Sequence, residues 1–256
     1  MKHFAKAWFL ILAAVLLGSP FFAERAGAMD FSRILEPPSL SHFLGTDSLG
    51  RDLFARLVCG AGVSVGVSFL AVFISIFLGT LLGAVAGYFG KGIDKLVMGL
   101  TDLALCFPVF FLILAVIAVL GPGFWKIAVI IGLTGWMGTA RLVRAEVLSL
   151  REREFVLAAR ALGAGAPRII FRHLVPNAAR PIVVNAVLGI SSAILTEAAL
   201  SFLGIGVRPP APSWGNILND ARATLGVAWW LALFPGAAIF LTVLSANVLG
   251  EDIGKP

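Results

Sequence analysis

The stretch "LVCGAGVSVGVSFLAVFISIFLGTLLGAVAGYFG", residues 57–90, contains no charged side chain. One crossing of a lipid bilayer needs about 20 mostly apolar residues, so this run is long enough to span a membrane and to begin at its interface. Backbone N–H and C=O groups in lipid must be hydrogen-bonded within the protein, which predicts a helix rather than a strand. Gly79, Gly83 and Gly87 recur every four residues and form a smooth helix face that another helix can approach closely.

The rest of the chain has the same apolar character. It is 59% hydrophobic and only 13% charged, whereas about 25% of the residues in a soluble domain are charged. Six runs are candidate membrane spans: 7–23, 63–88, 96–120, 124–143, 181–203 and 226–249. Pro108 predicts a kink in the third. The sequence therefore predicts an all-α membrane protein with six transmembrane helices.

The first span has an alternative interpretation. Lys2 and Lys6, the apolar run 8–17 and "AGA" at 26–28 resemble a cleavable signal peptide. The apolar run extends to residue 23, which favours a membrane span. Residues 1–28 are interpreted as a tail with the first transmembrane helix, residues 29–62 as an external segment, and residues 63–256 as a core of five helices.

The distribution of positive charge predicts the orientation. With the N-terminus inside, thirteen of the twenty Lys and Arg residues lie on the inner side, eight of them in the loop 141–180. Cytoplasmic loops carry this excess, so both termini and that loop are predicted to be cytoplasmic in a multi-pass membrane protein. The net charge of +6 follows this pattern, so membrane lipids are expected neighbours and nucleic acid is not.

The inner loop contains "EFVLAARALGAGAPRIIFRHLVPN", residues 154–177. Residues 150–163 are predicted to form a helix with Phe155, Ala158, Ala159 and Leu162 on one face. Gly163 is a typical C-cap, and a second short helix begins near Pro167 and ends at Pro176. Two interpretations stay open on physical grounds: a knob that fits a groove on a partner, or a basic loop lying on anionic headgroups.

This stretch resembles the conserved "EAA" loop of ABC importer permeases, through "AAR" at residues 158–160, Gly163 and Pro176. Leu157 and His173 depart from the general pattern. The dipeptide, oligopeptide and nickel branch shows the same two departures. The resemblance implies a cytoplasmic coupling helix that docks on an ATPase subunit. The residues that it assigns to this role, within the loop 144–180, are Glu154, Ala158, Ala159, Arg160, Gly163, Arg168, Arg172, His173 and Pro176.

Two other stretches extend the resemblance over almost the whole chain. They are "HFLGTDSLGRDLFARL" at residues 42–57 and "TEAALSFLGIGVRPPAPSWGNIL" at residues 196–218. The resemblance implies the type I ABC importer permease fold, a place in a bacterial inner membrane and alternating access driven by ATP. It also implies a heterodimer with a homologous permease, two cytoplasmic ATPase subunits and a periplasmic or lipid-anchored substrate-binding protein. Di- or oligopeptides are the expected substrates; nickel or a nickel chelate is the alternative.

Enzymatic chemistry is not expected in this chain. It has no G-x4-G-K-[ST] motif, so ATP and Mg²⁺ are expected on partner subunits and no cofactor is expected here. "GVSVG" at residues 62–66 matches a lipase pattern but lies in an apolar helix without strand context. His3, His42 and His173 are separated by the predicted topology, which argues against a metal site. An ATP-independent secondary transporter is the less favoured alternative, since paired broken helices are not evident.

Two acids lie in apolar runs, Asp102 in the third span and Glu197 in the fifth. An ionisable group at membrane depth costs a few kcal/mol or more and usually faces a cavity or a partner. Both are candidates for lining a translocation path, and a satisfied interhelical hydrogen bond is the favoured alternative. In the outer loop 204–225, Ile217 and Leu218 are too apolar for a solvated segment, which predicts a contact with a partner or the membrane interface.

Overall fold

The structure, a computed structural model, describes residues 1–255. Over these residues its secondary structure is helical, with one isolated antiparallel bridge between Thr46 and Asp52. Five helical segments are long and apolar enough to cross a membrane, and a bent helix pair raises that number to six. The predicted all-α membrane fold is confirmed. The α-helices within residues 1–255 are α1 Lys2–Gly18, α2 Ala23–Gly27, α3 Leu53–Phe89, α4 Lys91–Leu105, α5 Val109–Leu120, α6 Phe124–Leu150, α7 Glu154–Ala161, α8 Ala166–Ile169, α9 Val175–Asn177, α10 Ala179–Phe202, α11 Trp214–Ala221 and α12 Trp230–Gly254.

The first span comprises α1, a 3-10 turn at Ser19–Phe22 and α2. It packs along α12, where the Trp8 indole N–H donates to Thr242 Oγ1 at 3.1 Å. The Lys2 ammonium forms an ion pair with Asp252 near the end of α12. These contacts hold the first residues of the chain beside its last helical turn.

Helix α3 is the longest element, with 37 residues, or about 56 Å at 1.5 Å per residue. That exceeds the hydrocarbon thickness of about 30 Å, so one end extends beyond the lipid. The helix begins well before the predicted span 63–88, because the Asp52 carboxylate accepts a hydrogen bond from the Ala55 N–H at 2.8 Å and caps it. The predicted external segment 29–62 therefore ends in the first turns of this helix.

The glycine face of α3 packs closely against another helix, as the spacing predicted, and the structure shows that this helix is α6. A Cβ at Gly87 would lie 2.9 Å from the Val147 Cβ, and a Cβ at Gly79 or Gly83 would meet Thr139 or Ala140 even more closely. Close approach of two backbones gives continuous van der Waals contact along both helices. This α3–α6 seam joins the two ends of the molecule.

The third predicted span is two helices rather than one kinked helix. Helices α4 and α5 are bent by 82° at the break around Pro108, which lies just before α5. Proline has no backbone N–H to donate to the helix, and its ring disfavours the helical conformation of the preceding residue. The sequence indicated where the span changes direction but not by how much.

The start of α1, the end of α12 and the loop 151–178 lie at one end of the helix bundle, called here the inner end. Lys2 contacts Asp252 there, and the Arg180 guanidinium donates to the Ile253 carbonyl at 3.1 Å. The opposite, outer end holds the segment 28–52 and α11. An arrangement with both termini at one end agrees with the even number of spans predicted.

Candidate functional site

The segment 151–178 at the inner end forms a helical hairpin, as predicted, but its first helix is shorter. Helix α6 runs to Leu150, and α7 begins only at Glu154. The connecting residues are fixed by Arg151, whose guanidinium donates to the Gly87 carbonyl at 3.0 Å. The predicted helix over residues 150–163 is wrong at its start, because residues 151–153 form a turn but contain no glycine or proline that would mark it.

The predicted glycine cap at the end of α7 is confirmed. Gly163 has φ +80°, its N–H donates to the Arg160 carbonyl at 2.9 Å, and the Ala164 N–H donates to the Ala159 carbonyl at 3.0 Å. This pair of hydrogen bonds is a Schellman motif, which requires a left-handed residue that glycine adopts without strain. A Cβ at Gly163 would have no heavy atom within 4 Å, so the elbow faces open space.

The second arm anchors the hairpin to the bundle. It runs through α8, a π-helical turn at Ile170–Leu174 and α9. Ile169, Ile170 and Leu174 are buried in one cluster with Val143 of α6. Pro176 lies within α9, which ends one residue later at Asn177, so the predicted stop at the proline is slightly early.

Most of the apolar face predicted for α7 is exposed rather than packed against the bundle. Val156 and Ala159 pack inward, with exposures of 0% and 9%, whereas Leu162 is 88% exposed. Phe155 and Ala158 are also exposed. Because the helix is only eight residues long, two inward positions suffice to anchor it. Most of the apolar stripe therefore faces outward.

Other residues predicted for the coupling role surround these exposed apolar side chains, which we call the apolar knob. Exposed side chains are those of Glu154, Arg160, Arg168, Arg172 and Pro176, whereas His173 is half-buried. Arg160 also lies over the Tyr88 ring, 5.2 Å from its centroid, which ties α7 to the end of α3. Within residues 1–255, Arg153, Arg160, Arg168 and Arg172 form no salt bridge.

The two predicted path residues lie far apart and have different surroundings. Asp102 of α4 is exposed and pairs with Arg141 of α6 at 2.5 Å. Glu197 of α10 is fully buried, and its carboxylate accepts hydrogen bonds from Ser64 at 2.8 Å and Ser201 at 2.6 Å. Each acid therefore has a hydrogen-bonding partner on another helix, and a satisfied interhelical hydrogen bond was the interpretation that the sequence favoured. A role of either acid in transport stays a prediction.

The sequence interpretation missed an ion-pair cluster at the outer end. Asp47 is fully buried and pairs with Arg51 at 2.7 Å and with Arg56. Asp220 of α11 approaches Arg56 at 3.0 Å and Arg51 at 3.4 Å. We call these four residues the outer cluster. The available signal was an arginine, Arg56, in the first turn of an otherwise charge-free helix.

Helix α11 covers the outer cluster and completes the outer end. Ser213 and Asn216 form a capping box at its start. Trp214 and Ile217 are buried within the chain, with exposures of 2% and 0%. The predicted contact of Ile217 with a partner or the membrane interface is wrong, because this side chain packs against α3 and α12 in a cluster with Leu53 and Leu231.

Within residues 1–255 no group of three or more His, Cys, Asp or Glu side chains is placed to hold a metal ion. His42 instead lies at the outer end, where its Nδ1 is 2.9 Å from Asp52 and its Nε2 is 3.2 Å from Arg33. The exposed Asp30 begins the turn that carries Arg33. The pKa of Asp30 lies below its usual value because the Ser32 hydroxyl and backbone N–H donate to its carboxylate.

Comparison with known proteins identifies this architecture. Residues 79–252 match the family described as "Binding-protein-dependent transport system inner membrane component". The chain is 44% identical to the dipeptide transport system permease protein DppC of Alkalihalophilus pseudofirmus, over 96% of this chain and 80% of that protein. It is 42% identical to the glutathione transport system permease protein GsiD of Escherichia coli O6:K15:H31, over 92% of this chain and 77% of that protein.

The fold comparison agrees. The structure resembles a chain of the MetNI methionine ABC transporter, solved in inward-facing conformations, with a TM-score of 0.56 at 17% identity, over 78% of this chain and 97% of that chain. This confirms the type I ABC importer permease fold. The hairpin at the inner end, the span pattern and the family match lead to one conclusion: the chain belongs to the binding-protein-dependent transport system inner membrane components and is a permease subunit of an ABC importer.

Proposed function

We propose that the protein is the second permease of a heterodimeric importer of di- or oligopeptides. The observation that carries this proposal is the 44% identity, over nearly the whole chain, to a protein named as a dipeptide permease. The glutathione permease relative supports the same substrate class, since glutathione is itself a small peptide. The other components are a homologous permease, two cytoplasmic ATPase subunits and a periplasmic or lipid-anchored substrate-binding protein.

In this proposal the hairpin is the element that docks on an ATPase. Its elbow offers an apolar side chain, Leu162, next to an open glycine turn at Gly163. Exposed apolar groups rimmed by polar residues are typical of protein interaction sites. The neighbouring arginines would face acidic or polar groups of the ATPase, with the inner end cytoplasmic as the charge distribution predicts.

Transport would proceed by alternating access. ATP binding closes the two ATPases, and the hairpin moves with them as a rigid lever. Ile169, Ile170 and Leu174 pack the hairpin against α6, and the tightly packed α3–α6 seam would carry the displacement into the bundle. ATP shifts the equilibrium between inward- and outward-facing states only by its differential affinity for the two. ATP and Mg²⁺ bind to the partner subunits, so this chain needs no cofactor of its own.

The test is uptake by the complete transporter in proteoliposomes with its binding protein. We expect uptake of a labelled dipeptide that requires internal ATP, and no uptake of Ni²⁺ under the same conditions. ATP-dependent uptake of Ni²⁺ without peptide uptake would replace the substrate assignment. Peptide uptake that continues without ATP would overturn the proposed mechanism.

A further inference from the structure

A cavity of about 320 Å³ opens between α3, α6 and α10. Its polar lining comes from Ser75 of α3, Thr139 of α6, and Asn185 and Ser192 of α10, and Gly135 and Gly138 of α6 also line it. No lining residue carries a charge. We call this cavity the polar notch. In a bundle with long apolar helices, four polar side chains around one opening call for a functional explanation.

The polar notch lies near the middle of the membrane-spanning helices. Gly138 is fourteen residues from the start of α6 at Phe124, or about 21 Å along a helix of about 40 Å. Ser192 is thirteen residues from the start of α10 at Ala179, or about 20 Å along a helix of about 36 Å. Polar groups at this depth lose their hydrogen bonds to water unless they face a partner or a water-filled space.

The polar groups of the notch keep free hydrogen-bonding capacity. The Asn185 amide donates one hydrogen bond to Thr139 Oγ1 at 2.9 Å, which leaves the Asn185 carbonyl oxygen and a second N–H. Ser192 is exposed. These groups offer both donors and acceptors to a solute, and none of them would hold a charged solute by an ion pair.

The buried acid of the bundle lies elsewhere. Glu197 is fully enclosed by its serine partners, and Asp102 pairs with Arg141 outside the notch. Neither acid lines the cavity. A neutral passage suits solutes whose side chains differ in charge, because a fixed charge in a low-dielectric site would trap one class and reject the other.

We propose that the polar notch is this chain's share of the substrate passage, and that its neutral lining lets peptides of different side-chain charge pass. Ser192 keeps the lining neutral at its position, and Gly138 keeps the notch wide at its own. This inference rests on the proposed peptide function, but it assigns the passage to the notch rather than to Asp102 or Glu197.

The width is tested at Gly138, where an added Cβ has no heavy atom within 4 Å. Gly138→Leu should fill the notch and lower ATP-dependent dipeptide uptake by at least about tenfold, and Gly138→Ala should lower uptake less. Gly236→Leu in α12 is the matched control, since Gly236 also has open space around its Cβ position. Normal uptake by Gly138→Leu would overturn the proposal. So would loss of the second permease on purification, because the notch would then receive a partner side chain.

The charge is tested at Ser192 with a pair of nearly isosteric substitutions. Ser192→Asp should lower uptake of an Asp-containing dipeptide several-fold more than uptake of a Lys-containing dipeptide, whereas Ser192→Asn should affect both alike. Equal effects of Ser192→Asp on both dipeptides would contradict a role for Ser192 in the passage.

A labelling experiment separates this inference from the proposed substrate. With Cys59 and Cys106 replaced by alanine, Ser192→Cys in the complete transporter should react with a hydrophilic thiol reagent, and trapping with ATP and vanadate should change the rate. Such labelling in a transporter that imports no peptide would leave the notch as the passage and refute only the substrate class. If the thiol of the Ser192→Cys variant stays unreactive in both states of a peptide-transporting complex, the notch is not the passage.

Discussion

The outer and inner ends of this molecule differ in the burial and pairing of their charged side chains. At the outer end, Asp47, Arg51 and Arg56 are almost fully buried and both arginines pair with Asp47, while α11 adds Asp220. At the inner end, Leu162 is 88% exposed. The exposed arginines of the hairpin around it are Arg153, Arg160, Arg168 and Arg172.

The contrast shows which end is complete within a single chain. Buried charges are tolerated only when they are paired and hydrogen-bonded, so the outer end is a self-contained structure that fixes segment 28–52, α3 and α11 together. An exposed apolar knob with unpaired arginines is typical of a surface that another molecule covers. Substitutions at the outer end are therefore expected to change the stability of the fold, and substitutions in the hairpin at the inner end are expected to change transport.

The largest effect on stability is expected at the outer cluster. Asp47→Asn keeps the side-chain shape but leaves Arg51 and Arg56 without their buried counter-charge, which should cost roughly 3–5 kcal/mol. Thermal unfolding of the purified protein in detergent measures it. Asp30→Asn is the control, since the Asp30–Arg33 pair is exposed and exposed pairs contribute little. Equal melting temperatures of the two variants would show that the outer cluster does not hold the outer end together.

The next largest effect is expected at the seam that joins the two ends. Gly83→Ala places a Cβ against the Ala140 backbone, and overpacking of this kind costs about 1–3 kcal/mol. Gly99→Ala in α4 meets no heavy atom within 4 Å and should be neutral or slightly stabilising. Thermal unfolding distinguishes them, and a neutral Gly83→Ala would mean that the two helices separate readily.

A smaller effect is expected for the buried acid. Glu197→Gln weakens the hydrogen bonds from Ser64 and Ser201 and should cost about 1 kcal/mol, with assembly intact and uptake changed only modestly. Copurification and uptake are measured together. Complete loss of uptake by a normally assembled transporter would assign Glu197 to the translocation path instead.

The smallest effect is expected for Arg153, which is exposed and forms no salt bridge within residues 1–255. Arg153→Lys keeps the charge and should change stability by less than about 0.5 kcal/mol and leave uptake unchanged. A strong loss of uptake would mean that Arg153 makes a specific bidentate contact in the assembled transporter, because lysine cannot replace arginine in such a contact.

Local patterns in the sequence predicted much of the inner end. Apolar run lengths located the spans, the four-residue glycine repeat predicted that another helix packs closely on α3, and Gly163 predicted the left-handed cap. Each of these features depends on neighbours within a few residues or on one helix face. The break between Leu150 and Glu154 was missed because residues 151–153 contain no glycine or proline. The apolar spacing of α7 also does not show which of its residues pack inward.

The outer end was hard to predict because its partners are distant in sequence. Asp47 and Asp220 both reach Arg56 only after α11 folds back over the start of α3. The same holds for the Asp102–Arg141 pair and for the polar notch, which draws its lining from three helices. Spacing rules identify residues that share a face, whereas these sites depend on how helices are arranged around one another.

The structure also changes which hairpin substitution gives the clearest test. Ala159 is only 9% exposed, so Ala159→Glu would disturb packing inside the chain as well as any partner contact. Gly163 has open space around it and a φ of +80°. Asp and Asn tolerate this left-handed conformation better than other residues with a Cβ, so the pair Gly163→Asp and Gly163→Asn differs mainly in charge.

The most direct test of the coupling role is copurification of the ATPase subunits with the Gly163→Asp permease, followed by measurement of uptake and of substrate-stimulated ATP hydrolysis. A carboxylate buried unpaired in an interface costs several kcal/mol. We therefore expect Gly163→Asp to lose the ATPases and coupled uptake while its thermal unfolding stays close to that of Gly163→Asn, which should keep measurable coupling. Retention of ATPase binding and coupled uptake by Gly163→Asp would contradict the coupling role and favour a basic hairpin that lies on lipid headgroups.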